Sequence, residues 1–172
     1  MKLRIALLAA TITLLNTGFA SAAAPSALLG KTINVSFGMF VPGIGPDGSV
    51  HRGGRNVEWT IYISSAGRIF AKGVARNRHG YGGDRELSPG RGTFHFAGST
   101  LIGTAQHGNH AAQLRVSFDG SFQSCTANVL VGGENGAPMA WNSLSGKRFT
   151  QTGRPEVSAV TCSIANGNAF AN

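Results

Sequence analysis

Apolar and polar residues alternate along most of the chain after its first two dozen positions. In the segment 33–41, Ile33, Val35 and Phe37 are separated by polar or small residues, and 57–63 repeats the pattern around Trp59. Alternation with a period of two is typical of strands that bury one face. Six further segments share the pattern: 68–75, 93–97, 99–106, 111–118, 121–131 and 156–164. The sequence therefore predicts an all-β, single antiparallel domain of about eight strands, folded as an up-and-down barrel or a β-sandwich.

The N-terminal segment has a different pattern. Two basic residues, Lys2 and Arg4, precede an apolar run over 5–15, and the small residues Ala20-Ser21-Ala22 follow. This order is typical of a secretory signal peptide, and the apolar run is too short for a permanent membrane helix. We predict a signal peptide over 1–23 and one β-rich exported domain over 24–172, periplasmic or secreted. No transmembrane helix is predicted in the exported domain.

Cys125 and Cys162 are the two cysteines of the chain. In an oxidising compartment an even pair is most simply one disulfide. Alternation places Cys125 on the apolar face that carries Val129, and Cys162 on the face that carries Ile164. The sequence therefore predicts a Cys125–Cys162 disulfide on the apolar side of two strands.

The dipeptide Asp119-Gly120 between two alternating segments indicates a hairpin. Two-residue hairpin turns require positive φ, which Gly accepts and Asp tolerates. A turn of this length pairs Phe118 with Ser121 and Leu114 with Cys125.

The predicted connections differ in length in a regular way. If successive strands are antiparallel, the short turns 64–67, 98–99 and 119–120 lie at one end of the domain. The long loops 42–55, 76–92 and 132–155, with the shorter 107–110, lie at the other end. Loops longer than about 12–15 residues are uncommon in compact domains and are often functional. The long loops therefore predict a single mouth.

The chain is basic, with a net charge of +8, of which Lys2 and Arg4 contribute two, leaving +6 on the exported domain. A positive balance favours anionic partners, and an exported protein meets anionic lipid, glycan or small acids rather than nucleic acid. The predicted mouth carries arginines that can supply charge and aromatic rings that can stack. The predicted ligand-binding residues are Arg52, Arg55, Arg76, Arg78, Tyr81 and Trp141. No nucleic-acid partner and no cofactor are expected.

Signals for catalysis are weak. Three histidines, His95, His107 and His110, are weak candidates for a zinc site, and no metal is predicted. Asp84 and Glu86 form the close carboxylate pair that glycoside cleavage requires, but nearby arginines explain them as local ion pairs. No P-loop or G-x-S-x-G motif is present.

These observations predict an exported binding or structural domain that holds an anionic small molecule or glycan at a basic, loop-lined mouth. One alternative is a metal-dependent or carboxylate-using hydrolase. A second is a small outer-membrane β-barrel, whose strands need about 9–11 residues. The segments 57–63 and 93–97 are shorter than that. The sequence favours no oligomeric state.

Overall fold

A computed structural model describes residues 22–78, 85–87, 94–107, 110–133, 140–143 and 145–171. In these ranges the chain forms one 3-10 turn, Ser26–Leu28, and eleven strands, all of them paired antiparallel. The strands are β1 (Lys31–Ile44), β2 (Val50–Ile63), β3 (Ile69–Arg78), β4 (Arg85–Leu87), β5 (Phe94–Ala97), β6 (Thr100–His107), β7 (His110–Phe118), β8 (Cys125–Gly133), β9 (Ala140–Asn142), β10 (Arg148–Gln151) and β11 (Glu156–Asn166). The all-β, antiparallel prediction is confirmed.

The strands form two sheets, one of which is a half-barrel. The larger sheet has the order β4-β3-β2-β1-β10-β9, and the smaller has the order β5-β6-β7-β8. β1 is the centre of the larger sheet because it pairs with β2 along all of its 14 residues. Its other edge pairs first with β11 and then, at Gly43 and Ile44, with β10. The eight predicted segments correspond to β1, β2, β3, β5, β6, β7, β8 and β11, and β4, β9 and β10 are additional short strands.

Both sheets contribute side chains to one core, as the alternation predicted. Ile33 and Val35 of β1 and Ile61 of β2 are at most 1% exposed. Leu101 and Val116 of the smaller sheet are fully buried in the same cluster. Removing apolar surface from water contributes roughly 25 cal/mol per Å². This shared core is therefore the main source of attraction between the two sheets.

The Cys125–Cys162 disulfide is confirmed, and it joins the two sheets. It links β8 to β11, with the two Cα atoms 5.6 Å apart. In the described part of the chain these strands have no ladder of backbone hydrogen bonds between them. The bond therefore ties together two sheet edges that are otherwise held by side-chain packing.

The β1–β2 connection differs from the prediction. The expected long loop over 42–55 is wrong, because the two strands continue to Ile44 and resume at Val50, leaving only residues 45–49 as a turn. Gly43, Gly53 and Gly54 lie in this region, and each retains the backbone donor and acceptor that a ladder needs. The ladder between β1 and β2 therefore continues through them.

The hairpin between β7 and β8 has a longer loop than predicted. Phe118 pairs with Cys125, not with Ser121, so residues 119–124 form the connection. The Asp119 carboxylate accepts hydrogen bonds from the backbone N–H groups of Gln123 and Ser124, at 2.8 and 3.1 Å, which stabilises the wider loop. The register changes by four positions, an even number. Every side chain in β8 therefore stays on the predicted face.

We call the end of the domain that holds the turns 64–68 and 119–124 the turn end. The opposite end, where β1 passes into β2 at residues 45–49, is the loop end. The disulfide and the first residues of β1 lie near the turn end, because Cys162 pairs with Val35.

Gly103 of β6 provides space for an aromatic ring from the neighbouring strand. A Cβ at this position would lie 2.2 Å from the Phe94 ring, which in turn packs 5.5 Å from Trp59 between ring centroids. Replacing Gly103 with Ala should therefore push Phe94 against a buried Trp and lower the free energy of unfolding by about 1–3 kcal/mol. Urea denaturation measures the change. Gly120→Ala, where no atom lies within 4 Å of the added Cβ, is the control, and equal effects of the two would contradict the packing.

Candidate functional site

Of the three predicted ligand-binding residues whose side chains the structure describes, Arg55 is the one that lies inside the domain. It lies on β2 in the same alternating row as Val57, Trp59 and Ile61, whose side chains fill the core. Arg55 is 6% exposed, and its Nη1 donates to the Ala75 carbonyl oxygen at 3.4 Å. A guanidinium is costly to remove from water and supplies five N–H donors. The inner face of the larger sheet therefore carries a buried cation of the residue type that recognises carboxylates and phosphates.

Arg52 and Arg76 lie on the opposite, outer face of the sheet. Arg52 forms an ion pair with Glu156, and its guanidinium lies 4.8 Å from the centroid of the Phe40 ring. Arg76 forms an ion pair with Glu58 at 3.6 Å. All four charged groups are more than half exposed, and pairs of this kind contribute at most about 1 kcal/mol. The structure therefore does not bring Arg52 and Arg76 together with Arg55.

For the other three predicted ligand-binding residues, the structure describes the backbone of two and leaves the third outside the described residues. The backbone of Arg78 pairs with that of Gly54 at the last position of β3. The backbone of Trp141 pairs with that of Phe149 in the β9–β10 hairpin. Tyr81 lies outside the described residues. The roles of these three residues stay predictions.

A group of residues at the loop end continues the inner surface beyond Arg55. Val41 and Phe149 form a second buried cluster, and Met39 packs against it. Met39 is also the direct partner of Arg55 in the β1–β2 register. The His51 ring packs against the Phe149 ring at a tilt of 34°, with the ring centroids 4.8 Å apart. We call these five residues, Met39, Val41, His51, Arg55 and Phe149, the inner wall.

His51 adds a polar atom to the inner wall. Its Nε2 is buried, and it has no hydrogen-bond partner among the described residues. A buried polar atom that lacks a protein partner is a natural position for a water molecule or a ligand group. The inner wall therefore carries hydrogen-bonding groups at two places, Arg55 and His51, with apolar side chains between them.

The β9–β10 hairpin is held against the β1–β2 turn, and this contact positions Phe149. Lys147 forms an ion pair with Asp47 of the turn, and its stem crosses Gly45, where an added Cβ would lie 2.9 Å from the Lys147 Cε. The hydrogen bond from Lys147, with further ones from Ser49, holds the pKa of Asp47 well below its ordinary value. These contacts tie the edge of the inner wall to the main sheet.

The candidate metal-binding histidines are not brought together as a group of three. His95 pairs with Ile102 of β6, whereas His107 and His110 pair with each other at the far end of the same strand. Five residues of strand separate these positions, about 17 Å. Zinc ligands lie about 2 Å from the metal, so the three cannot share one ion in this arrangement. Among the described residues no group of three potential ligands is found.

The carboxylates proposed for hydrolysis are also only partly placed. Glu86 pairs through its backbone with Val74 at the edge of the larger sheet. Asp84 lies outside the described residues. A catalytic role for this pair stays a hypothesis.

Comparison with protein-family models, curated proteins and solved structures finds no match to this chain. The described residues include no helix with the length and hydropathy needed to cross a bilayer. The class that the structure itself defines is an antiparallel two-sheet β protein with one inter-sheet disulfide and a cation on its inner wall.

Proposed function

We propose that this protein is an exported binding domain that holds a small anionic ligand against the inner wall. The observation that carries the proposal is the position of Arg55, an arginine that is 6% exposed on the inner face of the larger sheet. Burying this group costs several kcal/mol unless the charge is compensated. A guanidinium is the group that recognises carboxylates and phosphates, so an arginine on the inner face of a sheet is a candidate for ligand recognition.

The neighbours of Arg55 indicate the kind of anion. Met39 lies opposite Arg55, and Val41 and Phe149 continue the wall with apolar surface. A ligand with a carboxylate or phosphate group and an apolar body would use both parts of the wall. His51 supplies a second hydrogen-bonding position for a polar group at the other end of the ligand.

The outer faces of the strands carry charged side chains, which is the distribution expected for a domain surrounded by water. Glu58, Lys72 and Arg76 on the larger sheet, and Arg115 on the smaller one, are exposed. Charged side chains in the middle of strands are costly against lipid and favourable in water. This distribution supports the binding domain over an outer-membrane barrel.

Arg55→Met tests the proposal, because Met keeps much of the apolar stem and removes the charge. Isothermal titration calorimetry with inorganic phosphate, sulfate and straight-chain carboxylates from butyrate to dodecanoate gives the dissociation constants. A hydrogen bond to a charged group contributes about 1.5–3 kcal/mol, so the best anion should bind the variant roughly 10–100 times more weakly. Arg115→Met, an exposed arginine on the other sheet, is the matched control and should bind as the wild type does.

A second variant separates the inner wall from the outer arginines. If Arg52→Met combined with Arg76→Met abolishes binding while Arg55→Met does not, the ligand binds on the outer face of the larger sheet and the proposal is wrong. If none of the anions binds the wild type, the proposal is also overturned.

A further inference from the structure

The turn end carries exposed apolar side chains that no strand pairing or core contact requires. Phe70 is 50% exposed, Phe170 is 39% exposed and Leu29 is 36% exposed. The Phe70 ring stacks on Tyr62 on the outer face of the larger sheet, with centroids 6.3 Å apart. Large exposed apolar side chains that lie close together mark interaction surfaces.

Hydrogen bonds show that the segments carrying these side chains are neighbours. The Gly30 N–H donates to the Ile63 carbonyl oxygen at 2.7 Å, and the Gly167 N–H donates to the Gly30 carbonyl oxygen at 2.9 Å. The Leu29 side chain lies 4.0 Å from the Cβ position of Gly67 in the β2–β3 turn. Leu29, the β2–β3 turn and the C-terminal segment therefore form one continuous surface.

The three segments that form this surface carry only basic charges, and the turn 119–124 at the turn end adds one exposed carboxylate, Asp119. The ranges 22–34, 60–72 and 163–171 contain Lys31, Arg68 and Lys72, and they contain no aspartate or glutamate. Arg68 and Lys72 are exposed, and Lys31 is partly exposed. We call the six residues Leu29, Lys31, Arg68, Phe70, Lys72 and Phe170 the turn-end patch. Apolar side chains mixed with lysine and arginine are the composition of surfaces that bind anionic bilayers.

The position of the N-terminal end of the described chain gives a second argument. Ala22 forms an isolated bridge with Phe96, and Ala24 lies 3.9 Å from the Cβ position of Gly67, so the chain enters the domain beside the turn-end patch. Ala24 is the first residue after the predicted signal peptide, which covers residues 1–23 and so includes Ala22. While it is attached, a membrane-held leader would therefore present the turn end to the bilayer.

We propose that the turn-end patch binds the surface of an anionic lipid bilayer. The side chains of Leu29, Phe70 and Phe170 enter the boundary between headgroups and acyl chains, while the three cations lie among the lipid phosphates. This inference is independent of the anion site, because the inner wall lies toward the opposite end of the domain. An anionic polysaccharide would contact the cations but would gain little from the apolar side chain of Leu29. The presence of Leu29 therefore favours a lipid bilayer over a polysaccharide as the partner.

Sedimentation with large unilamellar vesicles tests the proposal on the folded, exported protein. The vesicles are phosphatidylcholine alone, or phosphatidylcholine mixed with an equal amount of phosphatidylglycerol. The wild type should bind the anionic vesicles at least 10-fold more tightly than the neutral ones. Phe70→Ser combined with Phe170→Ser should weaken that binding about 10-fold, and Arg68→Gln combined with Lys72→Gln should weaken it about 25-fold, because each basic residue contributes about five-fold.

Leu130→Ser is the matched control, since Leu130 is 58% exposed on β8 of the other sheet. This variant should bind anionic vesicles within two-fold of the wild type. Circular dichroism checks that each variant is folded. If the double Phe variant unfolds, the Arg68/Lys72 variant, which alters only exposed charges, tests vesicle binding in its place. The proposal is overturned by equal binding to both vesicle types, by an equal loss in Leu130→Ser, or by binding to alginate without binding to vesicles.

Discussion

Replacing both Cys125 and Cys162 with serine is expected to lower the free energy of unfolding by about 3–4 kcal/mol. The two residues are separated by 37 positions, and closing a loop of that length removes much of the conformational freedom of the unfolded chain. Small domains have a net stability of about 5–15 kcal/mol, so the loss is a large fraction of the total.

The position of the bond adds a structural consequence. β8 and β11 are the strands it joins, and no backbone ladder between them is found in the described ranges. Without the bond, we expect the contact between these two edges to open before the rest of the molecule unfolds. Hydrogen exchange in the double variant should then be fastest in β11 and β8, ahead of β1 and β2.

Guanidinium denaturation gives the free energy of unfolding of the double Ser variant. The wild type is measured beside it, with and without dithiothreitol. The reduced wild type is the control, because it lacks the bond but keeps both cysteines, and it should match the variant within about 1 kcal/mol. A loss below about 1 kcal/mol in both samples would mean that side-chain packing alone holds the two edges together.

Replacing Phe96 with Ala is expected to lower the free energy of unfolding by about 3–5 kcal/mol, the range for removing a buried aromatic ring. Phe96 is 2% exposed, its ring lies 6.4 Å from that of Phe118, and it belongs to the core shared by the two sheets. The cavity would lie between the sheets, where neither can collapse without moving the other. The melting temperature and the urea midpoint should both fall.

Phe70→Ala is the matched control for this experiment. The residue type is the same, but the Phe70 side chain is 50% exposed on the outer face of the larger sheet. Its removal should cost less than about 1 kcal/mol, as for most surface substitutions. Similar losses for Phe96 and Phe70 would contradict the assignment of inner and outer faces.

The proposed anion site shows how far the alternation of apolar and polar residues predicts the position of a single residue. Arg55 lies two residues before Val57 in the same alternating row, so extending the predicted strand backwards would have placed it inside and Arg52 outside. The predicted segment begins at residue 57, whereas β2 begins at Val50 and includes Gly53 and Gly54. They are tolerated in β2 because the ladder with β1 supplies partners along its whole length.

Phe149 could not have been found in this way. It lies in a four-residue strand, β10, that pairs with the last two residues of β1 and packs on Val41 and His51. A strand this short has too few positions for alternation to be detected. Its place depends on residues about 100 positions away along the chain.

The sequence by itself determined the all-β class, the inward and outward faces of the longer strands, and the disulfide. These features are local or combinatorial: the pleat of a strand fixes the faces, and two cysteines in an oxidised domain allow one intramolecular pair. The tertiary structure decided where strands end, how far the hairpin registers shift, and which arginines are buried. Those outcomes depend on hydrogen bonds and packing between segments distant in sequence, and alternation within one segment carries no information about its partner.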